Sequence, residues 1–147
     1  MIGLIITGHG HFATGMRSSM ELVTGEAENV RFVEFLVEDT PESLKEKFGV
    51  ALKELQDCDG ILFLCDLAGG TPYKTAVEYG MTEVQTPVEV VGGASLPMLL
   101  EGSISAAEHT SPLELAEELM ECGKDSVERF QLAASVEPET EDDGDGI

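Results

Sequence analysis

The strongest constraint on the fold of this chain is a regular alternation of short apolar runs with segments of helical periodicity. Between the runs, apolar residues recur at three- or four-residue spacing, as in Leu44, Phe48, Leu52 and Leu55. Strands that alternate with helices at this interval form parallel sheets with right-handed crossovers. We therefore predict an α/β fold with an open, doubly wound, mostly parallel sheet and helices on both faces. The four runs of strand length are Gly3–Thr7, Val30–Val37, Gly60–Cys65 and Val88–Val91.

Three helix starts are marked by a hydroxyl residue followed by proline. Thr40-Pro41, Thr71-Pro72 and Ser111-Pro112 each place a capping hydroxyl before a proline at the first helical position. Glu114 lies three residues after Ser111, which predicts a capping box. The spacing predicts that the last helix continues past residue 125, with one face formed by Ala116, Leu119, Met120, Gly123, Val127 and Phe130.

Length and charge limit both the architecture and the partners. A chain of 147 residues with 42% hydrophobic residues fits one domain with one core. Its formal charge of −21 repels nucleic acid and anionic lipid, so we expect neither as a partner. Residues 137–147 contain six acidic residues and no basic one, so we predict a disordered acidic tail after a domain spanning 1–136.

The N-terminus and the cysteines indicate the compartment. No basic region or small-residue cleavage site precedes the first apolar run, and no apolar stretch approaches the roughly 18 residues that a membrane span needs. Cys58, Cys65 and Cys122 are an odd number without metal-ligand spacing, which predicts reduced, buried or inert thiols. We expect a cytoplasmic protein.

Three glycine-rich turns follow the first, third and fourth predicted strands, and each leads into a predicted helix. The carboxyl ends of parallel strands are where ligands bind in such sheets, and helix N-termini there favour a phosphate. The turns begin at Thr7, Asp66 and Gly92. We predict phosphate binding by residues of these turns, namely Gly8, Gly10, Leu67, Gly69, Gly70, Thr71 and Ser95.

His9, which lies between two of these glycines, is the candidate nucleophile. An imidazole attacks phosphorus through one neutral nitrogen, while a carboxylate that accepts the other N–H fixes the tautomer and stabilises the charge that forms. Asp66 ends the third strand, which would neighbour the first in a doubly wound sheet. The residues alone also allow simpler interpretations, namely a surface histidine and an aspartate that only closes a turn.

The other two histidines are less informative. Alternation along an extended turn places His11 beside His9, so a metal site with Asp66 is conceivable, although two histidines and one acid are few ligands for zinc. We predict no metal and no cofactor. His109 lies among polar residues, and we expect it on the surface.

Four segments of the chain resemble, in this order, the enzyme IIA domain of the mannose family of the bacterial sugar phosphotransferase system. The resemblance covers residue 1 to about residue 130, and each segment alone is a weak signal. The family often has asparagine at the place of Ser95, and an aromatic or small residue at the place of His11. The segments are Gly3–Gly10, Leu22–Glu26, Gly60–Pro72 and Leu96–Glu101.

The resemblance implies a phosphotransferase component in which His9 is phosphorylated and Asp66 orients it. It also implies a donor, the histidine phosphocarrier HPr, and an acceptor, an enzyme IIB. Family members are homodimers that exchange a strand near the C-terminus, which points to Val127–Val136. That stretch alternates apolar and polar residues at its start, in conflict with the helical prediction above. The glycine motifs are closer to members that serve N-acetylgalactosamine or related amino sugars.

Three other functions fit parts of the pattern. A receiver-like signalling domain also has an aspartate after its third strand, but it needs acids where Gly8-His9-Gly10 stands. A non-catalytic regulatory module would hold a small anion in the same turns without covalent labelling. A metal-dependent hydrolase would use His9, His11 and Asp66.

Overall fold

The computed structural model describes residues 1–132. It contains one four-stranded parallel sheet and five α-helices, which confirms the predicted α/β class. The predicted acidic tail 137–147, and the end of the segment 127–136, lie outside the described residues.

The four predicted runs form the four strands of the sheet. Their spatial order is β2-β1-β3-β4, and all three pairs are parallel. The central strand β1 is buried from Ile2 to Gly8, as expected for a parallel strand covered on both faces. The third strand therefore lies beside the first, as predicted. The bounds are β1 Ile2–His9, β2 Val30–Phe35, β3 Gly60–Cys65 and β4 Val88–Val91.

Helices cover both faces of this sheet. Leu4 and Ile6 of β1 belong to the core beneath α1, α4 and α5, whereas Ile5 faces the core beneath α2 and α3. A 3₁₀ turn, Ala106–Glu108, follows α4. Within residues 1–132, no helix combines the length and the apolar character needed to cross a bilayer. The helices are α1 Phe12–Val23, α2 Pro41–Glu54, α3 Thr71–Thr82, α4 Leu96–Ser105 and α5 Pro112–Asp125.

The structure confirms two of the three predicted caps. The Thr40 side chain accepts the Ser43 N–H in a capping box, and the Ser111 hydroxyl accepts the Glu114 N–H at 3.4 Å. The capping box predicted at Ser111 is incomplete, because within residues 1–132 the Glu114 side chain does not accept the Ser111 N–H. The third prediction is wrong, because α3 begins at Thr71 itself and Gly70 occupies the N-cap position. Gly70 has the extended backbone of an N-cap residue but no side chain that could accept a hydrogen bond. The start of α3 therefore has no side-chain cap, and the Thr71 hydroxyl does not serve as one.

The last helix is shorter than its sequence pattern predicts. It ends at Asp125, and the side chains of Val127 and Phe130 are more than four-fifths exposed. Within α5 the predicted apolar face is packed at Leu119, which is fully buried, and at Gly123, which lies against Met98, whereas Met120 is 44% exposed. The helical prediction for Val127 and Phe130 is therefore wrong, since no core remains for them to cover.

Candidate active site

The end of β1 and the residue after β3 bring His9 and Asp66 into direct contact. The Oδ2 atom of Asp66 accepts the backbone N–H of His9 and also lies 2.9 Å from its ring Nδ1. The His9 side chain is 46% exposed and that of Asp66 is 21% exposed. One carboxylate oxygen therefore fixes both the backbone and the ring of His9, which favours the tautomer with hydrogen on Nδ1.

Gly8 makes this contact possible because it leaves room for the Asp66 side chain. A Cβ atom at position 8 would lie 2.7 Å from the Asp66 Cγ and 2.9 Å from the Phe12 Cγ. Both distances are shorter than the closest contacts that nonbonded carbon atoms make in proteins. The carboxyl group therefore packs directly on the backbone of β1, one residue before the histidine that it orients.

The other faces of the His9 ring lie against Phe35 and Gly70. The Phe35 ring meets it edge to face, with 6.0 Å between centroids. A Cβ atom on Gly70 would lie 2.9 Å from the His9 Cε1, so the ring lies close to the backbone at the start of α3. Within residues 1–132, Nε2 has no hydrogen-bond partner, and it remains available for reaction.

The remaining predicted site residues surround this pair at the carboxyl edge of the sheet. Gly10 and Gly69 have φ angles of +59° and +84° and form the turns that lead into α1 and α3. Leu67 is 57% exposed beside Asp66. Ser95 is the N-cap residue of α4, and the neighbouring Ala94 N–H donates to the Cys65 carbonyl. The helices α1, α3 and α4 follow the three glycine-rich turns, and their starts thus lie at one edge of the sheet.

Three buried polar atoms of the described chain lack a hydrogen-bond partner, and all three belong to this edge. They are Thr7 Oγ1, Asp66 Oδ1 and Ser95 Oγ. Buried hydroxyl and carboxyl oxygens are nearly always paired in folded proteins.

His11 forms a second pair with a carboxylate, one that the sequence did not predict. Its Nδ1 lies 2.7 Å from Glu34 Oε2, and Glu34 also accepts the Thr14 hydroxyl. These hydrogen bonds, first from Thr14 and then from His11, hold the pKa of Glu34 below its ordinary value. Within residues 1–132, no three histidine, cysteine or acidic side chains gather as a metal-ligand cluster.

Two expectations about other reactive side chains have different outcomes. His109 is only 18% exposed and lies 2.8 Å from Glu118, so the prediction of a surface histidine is wrong. Its carboxylate partners are Glu118 and Glu114 of α5, and not the polar residues adjacent to it in sequence. Cys65 is buried, and burial, with a smaller effect of the nearby Asp66, raises the pKa of its thiol to about 12. It is inert next to the site, as predicted.

Comparison with known proteins decides the family. Residues 3–120 match the EIIA-man family, described as the PTS system fructose IIA component. The chain belongs to this family. It is therefore a phosphotransferase component of a sugar transport system, as the four sequence segments predicted.

Individual relatives agree with this assignment. The fructose-specific EIIA component of Bacillus subtilis is 34% identical to this chain. The aligned region covers 91% of this chain and 88% of that protein. The mannose-specific EIIAB component of Escherichia coli K12 is 32% identical over 88% of this chain, which spans only 40% of that longer protein. The crystal structure of an EIIA component from Streptococcus agalactiae superposes on this chain with a TM-score of 0.80 at 28% sequence identity. The superposition covers 88% of this chain and 98% of that protein chain.

Proposed function

We propose that His9 is the phosphorylated residue of this EIIA component and that its Nε2 is the atom that accepts the phosphoryl group. The observation that carries the proposal is the contact between His9 Nδ1 and Asp66 at 2.9 Å. It engages one ring nitrogen and leaves the other free at the edge where α1, α3 and α4 begin.

The chemistry follows from this arrangement. The lone pair of Nε2 attacks the phosphorus atom of a phosphohistidine donor, and the donor's N–P bond breaks as the new one forms. Nδ1 keeps its hydrogen throughout, so the ring becomes positively charged, and the Asp66 carboxylate stabilises that charge. In the second half-reaction the acceptor attacks the same phosphorus atom, and the lone pair returns to Nε2.

Binding of the phosphoryl oxygens is assigned to the glycine turns and the residues beside them. Backbone N–H groups at the starts of helices attract a phosphate without lysine or arginine. Gly8, Gly10, Leu67, Gly69 and Gly70 form the turns in which this backbone lies. The N–H groups of Gly10 and Gly70 donate to the Phe35 and Leu67 carbonyls, so these two glycines contribute through the shape of the turns. Thr71 and Ser95 add hydroxyl groups, and neither hydroxyl is used as a helix cap.

Family membership supports the choice of partners. We propose phospho-HPr as the donor, an enzyme IIB as the acceptor and the cytoplasm as the location of the protein. For the transported sugar we propose an amino sugar such as N-acetylgalactosamine, because of the Gly8-His9-Gly10 and Gly69–Pro72 motifs. Phosphoryl transfer to an enzyme IIB of that specificity, compared with transfer to a mannose-specific one, tests this choice.

We also propose a homodimer in which a second copy covers the edge of the sheet. Strand β4 is an edge strand, and one side of its backbone has no neighbouring strand in the described chain. A groove beside it is lined by Val77, Met81, Val88 and Val90. Residues 127–132 follow α5 without regular structure, and their apolar side chains are exposed. The same segment of a second copy would pair with β4 and fill the groove.

The experiment that tests the proposed function is a reconstituted phosphoryl transfer. Incubation with phosphoenolpyruvate, enzyme I and HPr should add the mass of one phosphoryl group to the intact protein. The label should be lost in acid, as phosphohistidine is, and should disappear when enzyme IIB is added. A protein that binds phosphate without covalent labelling would be a regulatory module, and a base-labile label would indicate phosphoaspartate.

A further inference from the structure

The His11–Glu34 pair lies beside the reactive histidine and has no part in the chemistry proposed above. In the parallel register, Glu34 of β2 lies opposite Gly8 of β1, the residue that precedes His9. Asp66 approaches Gly8 from the strand on the other side. Two imidazoles, two residues apart in sequence, are therefore each held through Nδ1 by a carboxylate at 2.9 Å and 2.7 Å.

Packing does not explain the position of His11. Its side chain is 79% exposed, whereas Glu34 is 21% exposed and is fixed by a second hydrogen bond from Thr14. His11 occupies the N-cap position of α1, yet its side chain makes no capping hydrogen bond. The structure thus holds an exposed ring in one orientation, with Nδ1 toward Glu34 and Nε2 without a partner among residues 1–132.

The location of His11 puts it inside any interface that brings a partner to His9. A stable protein interface covers about 800 Å² per partner, a patch with a radius of roughly 16 Å. Two residues of chain span at most about 7 Å. A partner that delivers a phosphoryl group to His9 therefore covers His11 as well, and the exposed Nε2 of His11 needs a hydrogen-bond donor when water is excluded.

We propose that His11, oriented by Glu34, is a contact residue for the phosphoryl donor protein and that its Nε2 accepts a hydrogen bond from an N–H or O–H group on that protein's surface. Because the ring is already held in place, little conformational freedom is lost when the partner binds. This inference rests on the proposed function, since it assumes that the donor protein docks over His9.

Two substitutions separate a contact with the donor from a local structural role. The amide of glutamine places its polar atoms near the position of the histidine Nε2, and the amide of asparagine places them near the position of Nδ1. His11→Asn thus keeps the hydrogen bond to Glu34 and loses the outward acceptor, whereas His11→Gln keeps an outward acceptor in its amide oxygen. His109→Gln is the matched control, because it alters a histidine–glutamate pair outside the site.

The measurement is the initial rate of phosphorylation of each full-length variant as a function of phospho-HPr concentration. We expect His11→Asn to raise KM about fivefold or more, with kcat within twofold of the wild type. His11→Gln and His109→Gln should stay within twofold in both constants. Melting temperatures should be unchanged for both His11 variants, because the ring is largely exposed.

Other outcomes would overturn the inference. An unchanged KM for His11→Asn, or a fall in kcat at constant KM, would mean that His11 does not contact the donor. Intact mass identifies the separate failure: if the wild type is not labelled, the proposed function fails, whereas a labelled wild type with insensitive His11 variants refutes only the contact.

Discussion

The contact between His9 and Asp66 depends on the absence of a methyl group at position 8. A Cβ atom there would lie within 3 Å of two Asp66 atoms, Cβ and Cγ. We therefore expect Gly8→Ala to push the carboxylate away from the ring and slow phosphoryl transfer at least tenfold, while the protein still folds. Gly15→Ala in α1 is the matched control, because no atom lies within 4 Å of a Cβ at that position. Equal transfer rates for the two variants in a rapid-quench assay would contradict the packing argument.

Asp66 itself provides the second test at the scale of a residue. In Asp66→Asn the amide still hydrogen-bonds, but it cannot stabilise the positive charge on the ring and can select the wrong tautomer. We expect a folded protein whose transfer to enzyme IIB is slower by roughly 10²–10⁴. Near-normal circular dichroism together with an unchanged rate would show that Asp66 is only structural.

The His9–Asp66 pair could be predicted from sequence, but Glu34 could not. Both members of the first pair follow predicted strands, and the topology of parallel sheets brings such residues to one edge. Glu34 lies inside β2, and its approach to His11 depends on the register of β1 and β2, which opposes Gly8 to Glu34. No local pattern in the sequence encodes that register.

At the scale of the elements, the caps of α2 and α3 give a direct comparison. The Thr40 hydroxyl accepts the Ser43 N–H, whereas Thr71 is the first residue of α3 and makes no cap. We expect Thr40→Ala to lower the free energy of unfolding by about 1 kcal/mol. Thr71→Ala should lower it by much less. Urea denaturation measures both, and a similar loss for the two variants would mean that Thr71 stabilises the start of its helix.

The limits of sequence prediction at this scale have a physical cause. The strands and the first helices could be located because most of their apolar residues cover the sheet. Val127 and Phe130 continue the spacing of α5 but lie past its end, where no core remains. The same two residues also fit an alternating strand pattern. Periodicity alone could not decide between the two patterns, because no surface of residues 1–132 buries these side chains.

At the scale of the whole molecule, the open edge at β4 predicts self-association. We expect the full chain to be a dimer in light scattering at micromolar concentration, and a chain that ends at Asp125 to be a monomer. The truncation removes the exposed apolar segment and leaves α5 complete. If the full chain is a monomer, the proposed strand exchange is wrong. If the shortened chain still dimerises, the contact lies on another surface.

The central claim is that the phosphoryl group is carried by His9, and the most direct measurement compares the intact masses of three proteins after incubation with phosphoenolpyruvate, enzyme I and HPr. We predict one phosphoryl group on the wild type and on most of the His11→Ala variant at the end of the reaction. The His9→Ala variant should carry none. Full labelling of His9→Ala would contradict the account.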